Sequence, residues 1–349
     1  MNDYTSTLSL AKAAELLSGQ GGSILVLSHA KPDGDALGSV AALVTALRSL
    51  GKDAAGLLVG PIALSLAEII ERTPGLSVHQ EPGLTEPSDQ LVIVDTGAWS
   101  QVGLLGETVR SNLERTLILD HHLSGDIPAA ARFVDSSAAA AAEIIADLID
   151  LLPGGKPADA PARTLINDAL FTGIASDTGW FRFSNCTPRT HRLAARLIGE
   201  GVDHANLFGK LEQAERPEKL QLLIRAVDSL KLLADGRAAA MILRARDFAE
   251  TGARPDETER LIDIPQQVGS VQAIALITEA QGEHGPQTRV SFRSKPLPRA
   301  INVAELAAQF GGGGHARAAG ARIDATVDEV APKVIQALTD AVRANPVVV

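Results

Sequence analysis

Two periodicities alternate through the N-terminal part of the chain. Short, almost wholly apolar runs at Ser23–Ser28, Ala54–Val59, Leu91–Val94 and Thr116–Leu119 read as buried strands. Between them, apolar residues recur at helical spacing. Leu37, Val40, Leu43, Val44, Leu47 and Leu50 predict one helix ending at Gly51, and Ala138–Leu152 predicts another. Strands that alternate with helices in this way predict an α/β, Rossmann-like domain: a parallel sheet covered on both faces. Arg163–Ala175 reads as a further helix ending at Ser176-Asp177-Thr178-Gly179, and Pro188 to about Leu230 is helical and charge-rich, broken at Pro217. The pattern then changes to strands at Ala238–Leu243, Val271–Ile277 and Thr288–Phe292, with helices at Val303–Gln309 and Val327–Leu338. That is a second, smaller α/β domain. The expected division is 1–212, a helical connector at 213–231, and 232–349, with no internal repeat.

Polar residues of one chemical kind gather where these runs end. Ser28-His29-Ala30-Lys31-Pro32-Asp33-Gly34-Asp35 follows the first strand, with Pro32 and Gly34 supplying a tight bend. Asp95 follows the third strand and Asp120-His121-His122 the fourth, while Asp177 is expected from a fourth loop. Several have plain structural readings: Asp33, Asp35 and Asp95 as helix caps, and Asp177 as an Asx-turn. Asp-His-His is harder to explain so, because three polar groups directly after an apolar run are costly where a strand end is covered. In open parallel sheets ligands bind beyond the carboxyl ends of the strands, so the clusters should converge on one crevice. Together they offer the carboxylate oxygen and occasional imidazole that Mn²⁺ or Mg²⁺ prefer. Two such ions about 3.5–4 Å apart need one carboxylate able to bridge them. Asp95 is the candidate bridge.

Composition narrows the partners. With 349 residues and 45% apolar content, two cores can be built, and a net charge of −10 argues against a broad footprint for long nucleic acid. The single cysteine excludes an intramolecular disulfide and a cysteine zinc site. The N-terminal residues lack the basic segment of a signal peptide, and no run of about 18 apolar residues could span a bilayer. The expectation is a cytoplasmic protein without membrane contact. Apolar residues at Val40–Leu50 or in the connector could support a homodimer.

A second constellation lies near the C-terminus. In Phe310-Gly311-Gly312-Gly313-Gly314-His315-Ala316-Arg317, successive glycines would serve neither strand nor helix, but they let backbone N–H groups approach a phosphate, above all where a helix begins. His315 and Arg317 can both donate to phosphate oxygen. Upstream, Arg289, Arg293, Lys295 and Arg299 occur with no acidic residue between Thr288 and Ala304; a charged edge strand is the plainer alternative. Trp180, Phe181 and Phe183 flank Asp177 and read as core residues or as a stacking platform for a base, with Arg182 near a phosphate. His79, His191, His204 and His284 lack partner clusters and read as surface or packing residues.

The ordered set His-x-x-x-Asp-x-Asp, Val-Asp-Thr-Gly, Asp-His-His and Ser-Asp-Thr-Gly resembles the DHH phosphoesterase superfamily, and the glycine-rich segment through Gly320 resembles its DHH-associated substrate domain. The resemblance spans nearly the whole chain, and its compact two-domain size is similar to nano-RNases that also dephosphorylate 3′-phosphoadenosine 5′-phosphate (pAp). It implies two divalent cations, Mn²⁺ first with Mg²⁺ or Co²⁺ acceptable. One would be held by His29, Asp33 and Asp95, the other by Asp35, Asp95, His121 and Asp177. His122 would face the substrate phosphate, and Asp120 would orient the neighbouring imidazole. Arg293, Ser294, Gly312, Gly313, Gly314, His315 and Arg317 would bind substrate. The implied partners are short single-stranded RNA and nucleotides, not long duplexes. A cyclic or linear dinucleotide phosphodiesterase is the alternative. An inorganic pyrophosphatase has no need of the glycine-rich loop, a processive single-strand DNA exonuclease would want a basic track, and a non-catalytic nucleotide sensor would not need every ligand.

Overall fold

The structure is a computed structural model that describes residues 4–19, 21–79, 88–282, 285–295 and 300–345; Arg299 and His284 lie outside these. The chain forms two compact units, divided between Ala214 and Glu215.

In the first unit, strands β1 (Ser23–Ala30), β2 (Asp53–Val59), β3 (Leu76–His79), β4 (Gln90–Val94), β5 (Thr116–Asp120) and β6 (Ala131–Val134) form one parallel sheet in the order β3-β2-β1-β4-β5-β6. The apolar runs form central strands because both faces are covered. Ile24, Val26, Val92, Val94, Leu117 and Leu119 face a core shared with the helices Gly34–Ser49, Ala141–Leu151 and Ala160–Asp177. The alternate residues Leu27, Leu57, Leu91, Ile93 and Ile118 face the opposite core with Val102, Leu105 and Val109. The strand order reverses at β1 and β4, so a crevice opens between their carboxyl ends. The register sets Leu27 beside Ile93 and Val94 beside Leu119, which brings the ends of β1, β4 and β5 level.

Three details differ from the sequence reading. The edge strands β3 and β6 were not expected, since β3 is mostly exposed, β6 is only partly buried, and neither gives an apolar run. Asp177 is the last residue of the helix Ala160–Asp177 and not part of a loop. Val40, Leu43, Val44 and Leu47 are wholly buried inside the unit, so they offer nothing to a second copy.

In the second unit, β7 (Lys231–Leu233), β8 (Ala238–Leu243), β9 (Ala273–Gly282), β10 (Gly285–Ser294), β11 (Gly313–His315) and β12 (Ala318–Ile323) form a mixed sheet in the order β11-β12-β10-β9-β8-β7. All its pairs are antiparallel except β8 with β9. The helices Val303–Ala308 and Val327–Ala344 cover one face. On the other, the helix Pro217–Asp228 buries Leu222 and Ala226 against Ala239 and Met241.

The glycine-rich segment corrects the expectation of a loop at a helix start. It follows the helix Val303–Ala308, and Gly313-Gly314-His315 pairs with Ala318–Gly320 as a hairpin. The reason is steric. A β-carbon on Gly312 would lie 2.2 Å from the Gly320 carbonyl oxygen, and one on Gly314 would lie 2.6 Å from that of Ala318. Here glycine serves a strand, because the neighbouring backbone comes too close for any side chain.

Candidate metal centre

His29 is the next-to-last residue of β1, and its Nδ1 lies 3.0 Å from the carbonyl oxygen of Ala30. Donating there leaves the Nε2 lone pair available, and Nε2 is 3.4 Å from Asp95 Oδ2 and 3.9 Å from Asp33 Oδ1. Asp33 is also the cap of the helix Gly34–Ser49, accepting from the amides of Asp35 and Ala36 at 3.0 Å each. The capping reading and the ligand reading of this residue are therefore compatible. One oxygen fixes the helix start and the carboxylate still borders His29.

Asp35 is wholly buried in the first turn of that helix. Its oxygens accept from the amides of Ala141 (2.6 Å) and Ala142 (2.9 Å), the open N-terminus of the helix Ala141–Leu151. The same space excludes any side chain on Gly173, whose β-carbon would stand 2.8 Å from Asp35 Oδ1. Asp177 closes this side. Asn185 fixes its backbone, donating from Nδ2 to the carbonyls of Ala139 (3.0 Å) and Asp177 (3.1 Å).

Asp95 follows β4 in the left-handed region, at φ 62°, and is 3% exposed. A non-glycine residue held there at a strand end is strained, and such strain gathers at functional sites. Its Oδ1 lies 3.2 Å from His121 Nε2, and that nitrogen is 3.4 Å from Asp177 Oδ2 and 3.9 Å from Asp35 Oδ2. Both Asp95 Oδ1 and His121 Nε2 are buried with no hydrogen-bond partner among the described residues, their mutual alignment being unsuited to one. Two orphaned atoms of ligand type turned toward one place suit a cation, which satisfies both without needing a donor hydrogen.

Asp120, last residue of β5, behaves differently. Its Oδ1 accepts from the amides of His121 (2.8 Å) and His122 (3.2 Å) and from His122 Nδ1 (2.8 Å), while Oδ2 accepts from the Tyr4 hydroxyl at 2.6 Å. A carboxylate so fully engaged orients its neighbours. Tyr4 was not singled out from the sequence, because nothing local marks a lone tyrosine whose partner is 116 residues away.

Among the described residues, ligand-type atoms fall into three groups, each with members within 4.8 Å of one another: His29, Asp33 and Asp95; Asp35, His121 and Asp177; and Asp95, His121 and His122. Asp95 belongs to two of them. The electrostatics follow from this crowding. Burial disfavours charge on Asp177, and Asp95 and Asp33 add repulsion, raising its carboxyl to about 7. Burial together with Asp95 and Asp177 raises Asp35 as well. Burial pulls the imidazoles down, but the surrounding carboxylates outweigh it and carry His29 to about 9 and His121 to about 10. Burial likewise opposes charge on Asp95, yet His121 and His29 hold its carboxyl below the usual range. His122 is raised by its bond to Asp120. Divalent cations would take over the compensation that protons otherwise supply.

The flanking aromatics belong mainly to packing. Trp180 Nε1 donates to Glu212 (3.0 Å), Phe181 stacks on His191 with centroids 5.6 Å apart, and Phe183 is exposed. Arg182 Nε donates to the Gly179 carbonyl. Within the second unit the expected substrate residues share one end of the sheet. Arg293 pairs in register with Ala318, the amide of buried Ser294 donates to the Arg317 carbonyl at 3.0 Å, and Gly312–Gly314, His315 and Arg317 form the adjoining hairpin with both long side chains exposed.

The chain matches the DHH family, N-terminal domain, over residues 23–174 and the DHHA1 domain over 237–344. It is 31% identical over 328 residues to the bifunctional oligoribonuclease and PAP phosphatase NrnA of Thermus thermophilus, covering 94% of this chain and 92% of the relative. The Bacillus subtilis protein of the same name is 26% identical, covering 86% of this chain and 89% of the relative. Among solved structures, an exopolyphosphatase-related protein from Bacteroides fragilis superposes with a TM-score of 0.82 at 19% identity, covering 96% of this chain and 97% of that one, which speaks for the fold. The chain thus belongs to the DHH family, with a DHHA1 domain in its second unit.

Proposed function

We propose that this protein is a metal-dependent phosphoesterase that hydrolyses short oligoribonucleotides to 5′-mononucleotides and removes the 3′-phosphate of pAp. The observation that carries the reading is the doubly shared Asp95, whose carboxylate borders His29 and Asp33 on one side and His121 on the other. The names of the relatives, which match this chain along nearly their whole length, supply the substrate class.

His29, Asp33 and Asp95 would hold one divalent cation, and Asp35, Asp95, His121 and Asp177 a second, with Mn²⁺ the first choice and Mg²⁺ or Co²⁺ also suited to the donors. When bound, such a pair neutralises charge at the phosphoryl group and makes water a competent nucleophile near neutral pH. The remaining steps belong to the chain. His122, bonded to Asp120 through Nδ1 and favoured in its charged form, presents a proton at Nε2 to the departing oxygen. Asp120 keeps the ring in that orientation. Arg293, Ser294, Gly312, Gly313, Gly314, His315 and Arg317 would bind the terminal phosphate or base. A chain of net charge −10 suits short substrates better than long strands. No helix among the described residues is long and apolar enough to cross a membrane, and we place the protein in the cytoplasm with its nucleotide substrates.

The test is a product time course on a 5′-labelled RNA pentamer with Mn²⁺ and pAp as competitor. Mononucleotide release that pAp inhibits is expected. No release from RNA or pAp, with turnover of cyclic-di-AMP, pApA or pGpG instead, would replace this reading with a dinucleotide phosphodiesterase.

A further inference from the structure

We propose that Tyr4 is a positioning residue for His122: its hydroxyl holds one oxygen of Asp120 so that the other keeps the His122 ring bonded through Nδ1, with Nε2 left for chemistry. The inference rests on the phosphoesterase reading above for what His122 does, and on geometry alone for how it is held.

Asp120 is wholly buried, and the donors to its two oxygens divide cleanly. Oδ1 takes all three contacts from the His121–His122 turn, and Oδ2 takes the Tyr4 hydroxyl at 2.6 Å, its one donor among the described residues. Rotation about the Cβ–Cγ bond swings both oxygens at once, so the Tyr4 bond at Oδ2 adds a restraint on the far side to the three at Oδ1. Tyr4 thereby tightens the plane that His122 Nδ1 reads. Burial and the Asp120 charge push the phenol well above its ordinary range, so the hydroxyl keeps its proton and remains a donor.

The hydroxyl is not required to anchor the N-terminal segment. Residues 6–8 are already tied along β6: the amides of Thr7 and Leu8 donate to the Arg132 carbonyl (2.8 and 3.3 Å), the Ser6 hydroxyl donates to the Val134 carbonyl (3.0 Å), and it accepts from the Val134 amide (2.8 Å). The ring, moreover, occupies a slot that the chain keeps clear beside the site. A β-carbon on Gly97, two residues beyond Asp95, would fall 1.8 Å from the Tyr4 hydroxyl oxygen, and one on Gly125 would fall 2.4 Å from the ring. A segment needed only as a strap along an edge strand has no use for a phenol aimed at the buried carboxylate of the Asp-His-His turn.

Tyr4→Phe keeps the ring and removes the bond. In the full chain with Mn²⁺ and pAp as substrate, kcat should fall about 10- to 100-fold, the usual cost of losing a supporting contact of this kind, while KM and metal stoichiometry stay unchanged. In the His122→Ala background the same substitution should have no further effect. A readout independent of turnover is ¹⁵N NMR of the metal-free protein. The wild type should show His122 with a protonated Nδ1 and an acceptor Nε2 when neutral, and Tyr4→Phe should show a mixture of tautomers. An unchanged His122 spectrum with unchanged kcat would overturn the proposal and leave Tyr4 as packing. If the wild type proves inactive on every phosphoester, the functional reading fails, and the spectrum alone still decides whether Tyr4 holds the ring.

Discussion

Replacing Asp95 separates the two things this residue does. Its carboxylate is shared between ligand groups, and its backbone sits at φ 62°. Asp95→Ala and Asp95→Gly remove the same carboxylate but treat the backbone differently. For a residue with a β-carbon the left-handed region costs roughly 1–2 kcal/mol, which alanine keeps and glycine releases. Glycine loses more chain entropy on folding, roughly 0.5–1 kcal/mol relative to alanine. At the midpoints of these ranges Asp95→Gly is more stable than Asp95→Ala by about 0.75 kcal/mol, the reverse of the usual order. With a urea dependence of about 3 kcal/mol per molar, that moves the unfolding midpoint of the metal-free protein by roughly 0.2–0.3 M. Both variants should lose turnover by on the order of 10³-fold or more, because several kcal/mol of charge stabilisation depend on the shared ligand. Calorimetric titration with Mn²⁺ should find fewer than two sites in each. Equal midpoints, or the alanine variant standing higher, would show that the backbone strain is not there. Near-normal turnover with two ions still bound would sink the bridging role.

Other consequences are open to equally direct measurement. His29 and His121 are raised to about 9 and about 10, so the stability they give the metal-free protein is present below pH 6.5 and lost as pH climbs through those values. Asp177, raised to about 7, makes the folded state bind more protons than the unfolded one between 3.8 and 7, so stability also falls with pH across that window. Cations bound at the proposed site would displace these protons, so thermal unfolding with Mn²⁺ and with chelator should diverge from about pH 5 to about pH 10; parallel curves would contradict the assignment. Asn185→Ala removes the side chain joining the carbonyls of Ala139 and Asp177, and should cost about 1 kcal/mol of stability and weaken Mn²⁺ binding roughly 10-fold or more by titration. Arg317→Ala should raise KM for pAp and RNA with metal stoichiometry intact, and a lowered kcat at constant KM would remove Arg317 from the binding role.

What could be read in advance depended on whether the cause was local. The strands flanking the crevice were legible because burial on both faces turns β1, β4 and β5 into apolar runs, and the carboxylates stood out by interrupting them. Strand β3 is mostly exposed and β6 only partly buried, and neither carries such a mark. Asp177 looked like a loop residue because apolar spacing stops at Ala175, yet the helix continues for two further residues. Four glycines suggested an open loop, since nothing in the chain announces that the Gly320 and Ala318 carbonyls crowd them from across a hairpin. Tyr4 was invisible for the same reason in stronger form: its meaning lies entirely in Asp120, Gly97 and Gly125.

The parallel arrangement of the first sheet divides its two rims between different duties. His29, Asp95 and Asp120 hang from the rim where strands finish, joined there by Asp33, Asp35 and Asp177 from helix ends, while the rim where the strands start carries exposed turns such as Gly21-Gly22 before β1 and Gly51 before β2. Fluorophores, affinity handles or a tether to a solid support attached at an exposed non-glycine residue of that rim, such as Asp53 at the start of β2, should leave catalysis untouched, giving an experimenter a convenient place to watch or immobilise a working enzyme.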